Sequence, residues 1–252
     1  MTGKWPDLVA EFDRWGESGH VASLWWRDDD AVAPTSELTA LLQLAGDAPV
    51  ALAVIPARAS PDLPVSLEGI PQVTVLQHGW RHDNHAMAGA KKSEFPAERP
   101  EAAVAAELAG GRARLTALFR ARALPVFVPP WNRFADGFVP LLTKTGIRGL
   151  SAMASRKVKP VPPNIALMDV HIDLVAWKEG KRFIGTAAAL SALIGHLRSR
   201  RLGQAARAAV TGILTHHLVM DRAATGFLDR LVATVDRHQA VRWADAGELL
   251  AA

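Results

Sequence analysis

Short apolar runs recur along the whole chain, and segments with helical periodicity lie between them. A short continuous apolar run is typical of a strand that is buried on both faces, as in a parallel sheet. Seven runs of this kind predict strands, and an eighth candidate lies near the end of the chain. They are Val21–Trp26, Val50–Ile55, Val73–Gln77, Pro125–Val128, Arg148–Ser151, Leu167–Ile172, Thr211–Thr215 and Ala240–Trp243.

Helical patterns are clearest in four of the remaining segments. In the first of them, apolar side chains recur at helical spacing at Leu8, Val9, Phe12 and Trp15. The sequence from Thr35 to Glu37 predicts the start of a second helix, which Gly46 ends. A third helix is predicted over Glu101–Arg120, and a fourth after Asp221, a residue type that commonly caps helices.

The alternation of strands and helices predicts the fold class. Strands that alternate with helices form a parallel sheet with right-handed crossovers. With about seven parallel strands in 252 residues, we expect an α/β fold, specifically a distorted (β/α) barrel. No internal repeat or linker interrupts the pattern, so we expect residues 1–252 to form a single domain.

The amino-acid composition limits the kinds of site and partner that the chain can have. The chain has no cysteine, so disulfides and thiolate metal sites are excluded, and a metal would have to be held by His, Asp or Glu. Lys and Arg total 29 against 25 acidic residues, too small a surplus to indicate nucleic-acid binding. No apolar stretch approaches the roughly 20 residues of a membrane span. We therefore expect no nucleic-acid or membrane partner, and a cytoplasmic location because the opening segment does not resemble a secretory signal.

Three consecutive carboxylates, Asp28, Asp29 and Asp30, come directly after the first predicted strand. Adjacent carboxylates beside buried tryptophans repel each other, and a bound cation or a shared proton would relieve that repulsion. The alternatives are a solvated loop tip, or acids that cap a helix before Pro34 and Thr35. In (β/α) barrels, however, the chemistry gathers at the carboxyl ends of the strands.

A cluster of histidines follows the third predicted strand, in the sequence QHGWRHDNH from Gln77 to His85. His78 and His82 are four residues apart, so one helical turn would place both rings on one face. Neutral imidazoles are good ligands for zinc and similar divalent ions. Together with a carboxylate from another strand end, the pair would form a facial triad with open positions for water and substrate.

Two further polar clusters follow later strands. The segment Phe127–Phe134 contains two prolines and Trp131, and would form either a substrate-groove wall with a backbone N–H for an oxyanion or a loop that fills the barrel mouth. The segment Ile213–Leu218 contains His216 and His217, which we expect to line a site as general acid and support. Minor candidates are Asp169, His171, Asp173 and Trp177.

In their order these motifs resemble the polysaccharide deacetylase family, carbohydrate esterase family 4, and its divergent bacterial relatives. The shared features are an Asp pair after the first strand, an HxxxH after the third, a Pro-rich aromatic loop and a late Leu-x-His, between about Leu24 and Met220. The resemblance implies a distorted (β/α) barrel, an Asp-His-His metal site and the removal of N- or O-acetyl groups from sugars.

The resemblance also implies residue roles. The family's Asp pair matches Asp28-Asp29 or Asp29-Asp30, and the second is favoured by an Arg-x-Asp-Asp-apolar pattern that begins at Arg27. Asp29 is then the general base. The implied metal ligands are Asp30, His78 and His82. Trp131 would supply the oxyanion N–H, and His216 the general acid. Substrate-binding or supporting candidates are Asp28, Trp80, His85, Asn132, Arg133 and His217.

The chain departs from the family pattern in three places, one of which is the additional histidine His85. The glycine that normally follows the Asp pair is absent, and Val128 stands where the family has an arginine that pairs with the catalytic aspartate. Arg133 or Arg27 would have to replace that arginine.

The leading hypothesis from the sequence is a metal-dependent hydrolase that removes an acetyl or other N- or O-acyl group from a carbohydrate. It would act on an amide or ester bond, not a peptide bond, in a small-molecule or oligosaccharide substrate. We expect a divalent metal, zinc first, with cobalt, nickel or manganese as alternatives. One competing hypothesis is a non-catalytic barrel that keeps the metal and binds a carbohydrate or other ligand. Another is a metal-free, glycosidase-like barrel with paired aspartates.

Overall fold

The computed structural model describes residues 3–154, 161–206 and 209–252. The helices are α1 Trp5–Glu17, α2 Ser36–Ala45, α3 Asp62–Ser66, α4 Glu101–Phe119, α5 Val139–Lys144, α6 Thr186–Arg201, α7 Arg222–Asp236 and α8 Ala246–Ala251. The strands are β1 Ala22–Ala31, β2 Val50–Val54, β3 Val73–His78, β4 Ala123–Val128, β5 Gly149–Leu150, β6 Ala166–Leu167, β7 Ile172–Asp173, β8 Val175–Ala176, β9 Arg182–Phe183, β10 Thr211–Thr215 and β11 Val241–Trp243.

Strand positions agree with the apolar pattern, with two corrections. β1 continues to Ala31, so the three aspartates lie inside the strand and not after it. The predicted strand Leu167–Ile172 is wrong as one element, because its ends belong to two separate short strands, β6 and β7. The antiparallel pair of β8 and β9 was not predicted, since two-residue strands are too short to show periodicity.

The predicted helix starts are confirmed by their caps. The Thr35 hydroxyl accepts a hydrogen bond from the N–H of Leu38 at 3.1 Å, and the Asp221 carboxylate accepts one from Ala224 at 2.8 Å. α2 ends at Gly46, which has a φ of 56°. A glycine at positive φ lacks the steric penalty of a side chain, so this helix ends where the sequence predicts.

The chain groups into two compact units. The first comprises Met1–Asp28, Thr35–Val50 and Val170–Asp245, and the second comprises Asp29–Pro34, Ala51–Asp169 and Ala246–Ala252. The single domain expected from the sequence stays a prediction.

In the first unit β1 is paired in parallel with β10 on one side and with β11 on the other, and β10 is paired in parallel with β7. Leu24 of β1 lies opposite Thr211 in one register and opposite Trp243 in the other. Helices α1, α2, α6 and α7 belong to this unit. Their apolar side chains, including Leu8 and Phe12 of α1, are buried.

In the second unit β2 lies beside β3, and β3, β4, β5 and β6 are paired in parallel in that order. His78, at the end of β3, lies opposite Val128, at the end of β4. The core of this unit combines aromatic and aliphatic side chains from β4, α4 and α5, among them Phe95, Phe127 and Leu142. Parallel strands joined by helices in both units confirm the predicted α/β class.

Within the described ranges, every helix is too short or too polar to cross a lipid bilayer.

Candidate metal centre

Asp30, His78 and His82 come together in the second unit. Nε2 of His78 lies 3.1 Å from Oδ1 of Asp30, and Nε2 of His82 lies 3.4 Å from the same oxygen. One ligand atom from each residue lies within 4.8 Å of the others. One carboxylate and two imidazoles form a donor set that suits zinc and related divalent ions, so the residues present fit a metal.

The hydrogen bonding of His78 prepares its ring for a cation. Nδ1 of His78 lies 3.1 Å from the carbonyl oxygen of Val128. A carbonyl oxygen only accepts, so Nδ1 carries the hydrogen, and a neutral His78 then turns the lone pair of Nε2 towards Asp30. Two acceptors that face each other at 3.1 Å need a cation or a proton between them. Val128 thus orients the ring through its backbone carbonyl.

His82 reaches the site from a loop and not from a helical turn. Gly79 has a φ of 58° and His82 a φ of 61°, which no α-helix contains. The expectation that one helical turn aligns the two histidines is therefore wrong, although the rings do meet, with centroids 5.0 Å apart. Burial lowers the pKa of His82, and His78 lowers it further, against the opposing charges of Asp30 and Asp29. The neutral form, which can bind a metal, is thus favoured.

Backbone strain is concentrated at this site. Six non-glycine residues have a positive φ in the part of the chain that the structure describes, and four of them are Asp30, His82, Trp131 and Asn132. Each such residue costs on the order of 1–3 kcal/mol and is retained only where the surrounding structure enforces it. Strain of this kind is typical of functional sites.

The aromatic loop after β4 contacts the site through Trp131. The ring of Trp131 packs against His82, with centroids 4.3 Å apart. The backbone N–H of Asn132 donates to Pro129, and the guanidinium of Arg133 donates to the carbonyl of Lys92 at 2.8 Å. The loop thus places an aromatic face beside a metal-ligand candidate.

Three further residues of the second unit have local roles. Asp29 is buried, with 3% of its surface exposed. Trp80 packs against the apolar core of the unit, so the ring is held by packing. His85 is exposed, and its backbone N–H donates to Ser93 at 2.9 Å.

Glu94 is a site residue that the sequence analysis missed. Its carboxylate is buried and accepts hydrogen bonds from the backbone N–H groups of Trp80, Arg81 and His82. Burial raises the pKa of Glu94, whereas the bonds from Arg81 and Trp80 oppose that shift. Backbone N–H groups leave no mark in the sequence, so no local pattern could have identified this residue.

The first unit contains a separate buried cluster around Asp28. Oδ1 of Asp28 accepts from Nδ1 of His217 at 2.5 Å, and Oδ2 accepts from the hydroxyl of Thr215 at 2.6 Å and from the N–H of His217 at 3.0 Å. The indole N–H of Trp26 in turn donates to Thr215 at 2.8 Å. Asp28 and His217, both predicted as supporting residues, therefore pair with each other.

His216, the predicted general acid, also lies in the first unit and is mostly buried. Its ring contacts Trp177 edge-on, with centroids 4.6 Å apart, and the indole N–H of Trp177 donates to Asp173 at 2.8 Å. His171 does not join them, since its ring stacks on His196 at 3.6 Å. Asp169, in the second unit, accepts from the N–H of Ala152. Of the minor candidates, Asp173 and Trp177 therefore bond to each other, whereas His171 and Asp169 make other contacts.

Comparisons of the whole chain give matches among solved structures. A protein from Mycobacterium smegmatis assigned as a polysaccharide deacetylase has a TM-score of 0.67 at 15% identity, covering 92% of this chain and 90% of its own. A family 4 acetyl xylan esterase from Clostridium thermocellum, solved with a cobalt ion, has a TM-score of 0.55 at 12% identity, covering 91% and 90%. The peptidoglycan deacetylase PdaC from Bacillus subtilis, solved as a mutant, has a TM-score of 0.53 at 13% identity, covering 91% and 90%.

No family model and no curated protein matches the sequence. The similarity is therefore three-dimensional, and at identities of 12–15% it concerns the fold alone. The resemblance noted from the motifs is confirmed at that level: the chain has the distorted (β/α) barrel fold of the polysaccharide deacetylases of carbohydrate esterase family 4.

Proposed function

We propose that this chain is a metal-dependent hydrolase that removes an N- or O-linked acetyl group from a carbohydrate. The observation that carries the proposal is the convergence of Asp30, His78 and His82 in a chain with a deacetylase fold. The compared proteins from Clostridium thermocellum and Bacillus subtilis are named for the removal of acetyl groups from xylan and from peptidoglycan. An acetylated saccharide is therefore the substrate class to test.

Asp30, His78 and His82 would hold the divalent cation, zinc first among the candidates. Two imidazoles and one carboxylate leave coordination positions open for water and substrate. A cation held there supplies Lewis acidity, which polarises a carbonyl group. The lowered pKa of His82 keeps its ring in the neutral form that this role requires.

The remaining roles belong to side chains and backbone that the family resemblance assigns. Asp29, buried next to the ligand Asp30 in sequence, would accept a proton from the attacking water. The N–H of Trp131 would donate to the developing oxyanion, on a backbone held at a φ of 53°. His216 would protonate the leaving group. Each role is a hypothesis with its own kinetic test.

The first experiment measures acetate release from acetylated chitooligosaccharides and acetylated xylooligosaccharides. The protein is stripped of metal and then given zinc or cobalt, and its metal content is measured in parallel. Wild type should release acetate only when loaded, and His78→Ala should lose both the metal and turnover. The matched control is His20→Ala, which changes an exposed histidine of the first unit and should preserve both.

Other outcomes separate the hypotheses. Activity that survives chelation would refute metal dependence. A full complement of bound metal without acetate release from any substrate would favour the non-catalytic alternative. If the proposal holds, Asp29→Asn and His216→Ala should keep the metal and lose roughly 10²–10⁴-fold in kcat, the usual contribution of a general base or acid.

A further inference from the structure

The carboxylate of Glu94 faces three consecutive backbone N–H groups. Oε1 accepts from Arg81 at 2.6 Å and from His82 at 3.0 Å, and Oε2 accepts from Trp80 at 3.1 Å. A carboxylate has about four lone-pair positions, so this loop occupies most of them. Bonds from N–H groups to an ionised carboxylate are stronger than bonds between neutral groups.

The loop that Glu94 binds is strained. Gly79 and His82 both have a positive φ, and for a histidine such a backbone costs on the order of 1–3 kcal/mol. The N–H of His82 is one of the three groups that Glu94 accepts from. Glu94 also fills the space beside Gly79, where a Cβ atom would overlap its Oε2. The carboxylate therefore holds the backbone in the conformation that directs the ring of His82.

Glu94 is itself fixed to the body of the second unit. Its carbonyl oxygen accepts from the guanidinium of Arg99 at 3.2 Å. The next residue, Phe95, is fully buried and forms a parallel bridge with Phe134, in the loop that carries Trp131. The segment at Glu94 thus connects the loop of His82 to the loop of Trp131.

We propose that Glu94 is a positioning residue for the metal centre, which sets the backbone of His82 so that Nε2 points to Asp30 before a metal binds. This inference rests on the proposed function, because it takes Asp30, His78 and His82 as ligands. Glu94 acts through backbone N–H groups and touches neither substrate nor metal. The rival role is a purely structural one, in which Glu94 stabilises the fold and leaves metal affinity unaffected.

The test compares Glu94→Gln with Glu101→Gln in metal-free protein. The glutamine at position 94 keeps the shape but turns an NH₂ group towards a backbone N–H, so at least one of the three bonds is lost. Glu101 is the matched control because its carboxylate, in the same unit, is exposed and pairs with Lys144 at 3.7 Å, away from Glu94 and from Arg99. Cobalt affinity is measured calorimetrically, together with the visible absorption spectrum of the bound cobalt and thermal unfolding.

We expect Glu94→Gln to weaken cobalt binding by roughly 10–100-fold, the usual effect of losing a partner behind the metal ligands, and to change the cobalt spectrum. Glu101→Gln should keep the affinity and spectrum of wild type. Wild-type affinity and spectrum in Glu94→Gln, or equal losses in both variants, would overturn the inference and leave the proposed function standing. A wild-type protein that binds no cobalt would overturn both.

A second variant covers the case in which Glu94→Gln does not fold. Glu94→Asp keeps the charge but is one methylene shorter, so it cannot reach all three N–H groups. It should fold and bind cobalt more weakly than wild type. Undiminished affinity in Glu94→Asp would equally overturn the inference.

Discussion

Nδ1 of His217 lies 2.5 Å from Oδ1 of Asp28, and neither side chain reaches the solvent. The carboxylate is also bonded to the hydroxyl of Thr215 and to the backbone N–H of His217. All these donors come from the end of β10, so Asp28 ties that strand end to β1. Asp28, the first of the three consecutive aspartates, thus has a structural role.

Replacing Asp28 with Asn should destabilise the first unit. Asp28→Asn keeps the shape but turns an NH₂ group towards the hydroxyl of Thr215 and the N–H of His217, and a buried donor left without an acceptor costs about 1–3 kcal/mol. We expect a loss of about 2 kcal/mol in the free energy of unfolding, measured by chemical denaturation of metal-free protein. The control is Asp13→Asn, which breaks the exposed pair with His238 and should cost no more than about 1 kcal/mol. Equal losses in the two variants would contradict a special role for the buried pair.

Gly79→Ala should disturb the loop that carries His82. The added Cβ would overlap Glu94 and lie 2.6 Å from Pro130, on a backbone with a φ of 58°. Overpacking costs about 1–3 kcal/mol, and the left-handed backbone adds roughly 1–2 kcal/mol. We expect a destabilised protein that binds cobalt more weakly than wild type, measured by denaturation and calorimetry.

The matched control for this variant is Gly89→Ala in the same connection between β3 and α4. Gly89 has a φ of 81°, but a Cβ there would enter open space among the described residues. It should therefore incur only the backbone cost and keep full cobalt affinity. If Gly89→Ala lowered the affinity as much as Gly79→Ala, the close packing around Gly79 would not be the cause.

Asp30→Asn should separate metal binding from stability. In the metal-free protein the carboxylate of Asp30 faces two imidazoles on a backbone with a φ of 72°. Asn adopts a positive φ readily, and its NH₂ group can donate to a neutral imidazole. We expect the metal-free variant to unfold with the same or up to about 1 kcal/mol higher free energy, since relief of functional strain commonly stabilises. Its cobalt affinity should fall by more than the roughly 10–100-fold that losing an outer partner costs.

The control for Asp30→Asn is Asp83→Asn, which changes the residue next to His82 and breaks a pair with Arg58. It should retain the cobalt affinity. A marked loss of stability in metal-free Asp30→Asn would mean that Asp30 forms an ion pair with a protonated histidine, and would argue against two neutral imidazoles.

The convergence of Asp30, His78 and His82 could be predicted from the sequence because it follows a general rule of parallel α/β folds. Side chains at the carboxyl ends of the strands gather at one edge, so the convergence of Asp30 and His78, which follow the first and third predicted strands, could be expected without a fold comparison. The strands with apolar runs and the helix caps at Thr35 and Asp221 could also be predicted, because each depends on contacts nearby in the chain.

The parts that escaped prediction depend on distant backbone groups. Glu94 accepts from N–H groups 12 to 14 residues away, and any residue type could supply them. The left-handed backbone of His82 follows from those contacts and not from the preferences of histidine. For the same reason the spacing of His78 and His82 suggested a helix that the chain does not form.

Stability at mildly acidic pH should depend on His171 and His196. Their rings stack with centroids 3.6 Å apart, and burial lowers the pKa of His171 to about 3 and that of His196 to about 4. The charge of Arg200 lowers both pKa values, and His196 also lowers that of His171. Around the pair, the hydroxyl of Thr211 bonds to His196.

The direction in which stability changes with pH follows from which state of the chain binds more protons. Both pKa values lie below the ordinary histidine value of 6.5, so the unfolded chain takes up protons that the folded chain refuses. The contribution of the pair to stability is therefore complete above about pH 6.5 and is lost as the pH falls towards about 3.

In His196→Leu one of the two groups no longer titrates, and His171 loses the neighbour that lowers its pKa. The free energy of unfolding, measured by urea denaturation from pH 7 to pH 4, should then decline less steeply than in wild type, whatever its value at pH 7. An unchanged slope would show that the acid sensitivity arises from other groups, such as the carboxylates of Glu37 and Asp221, whose pKa values are lowered by hydrogen bonds in the folded chain.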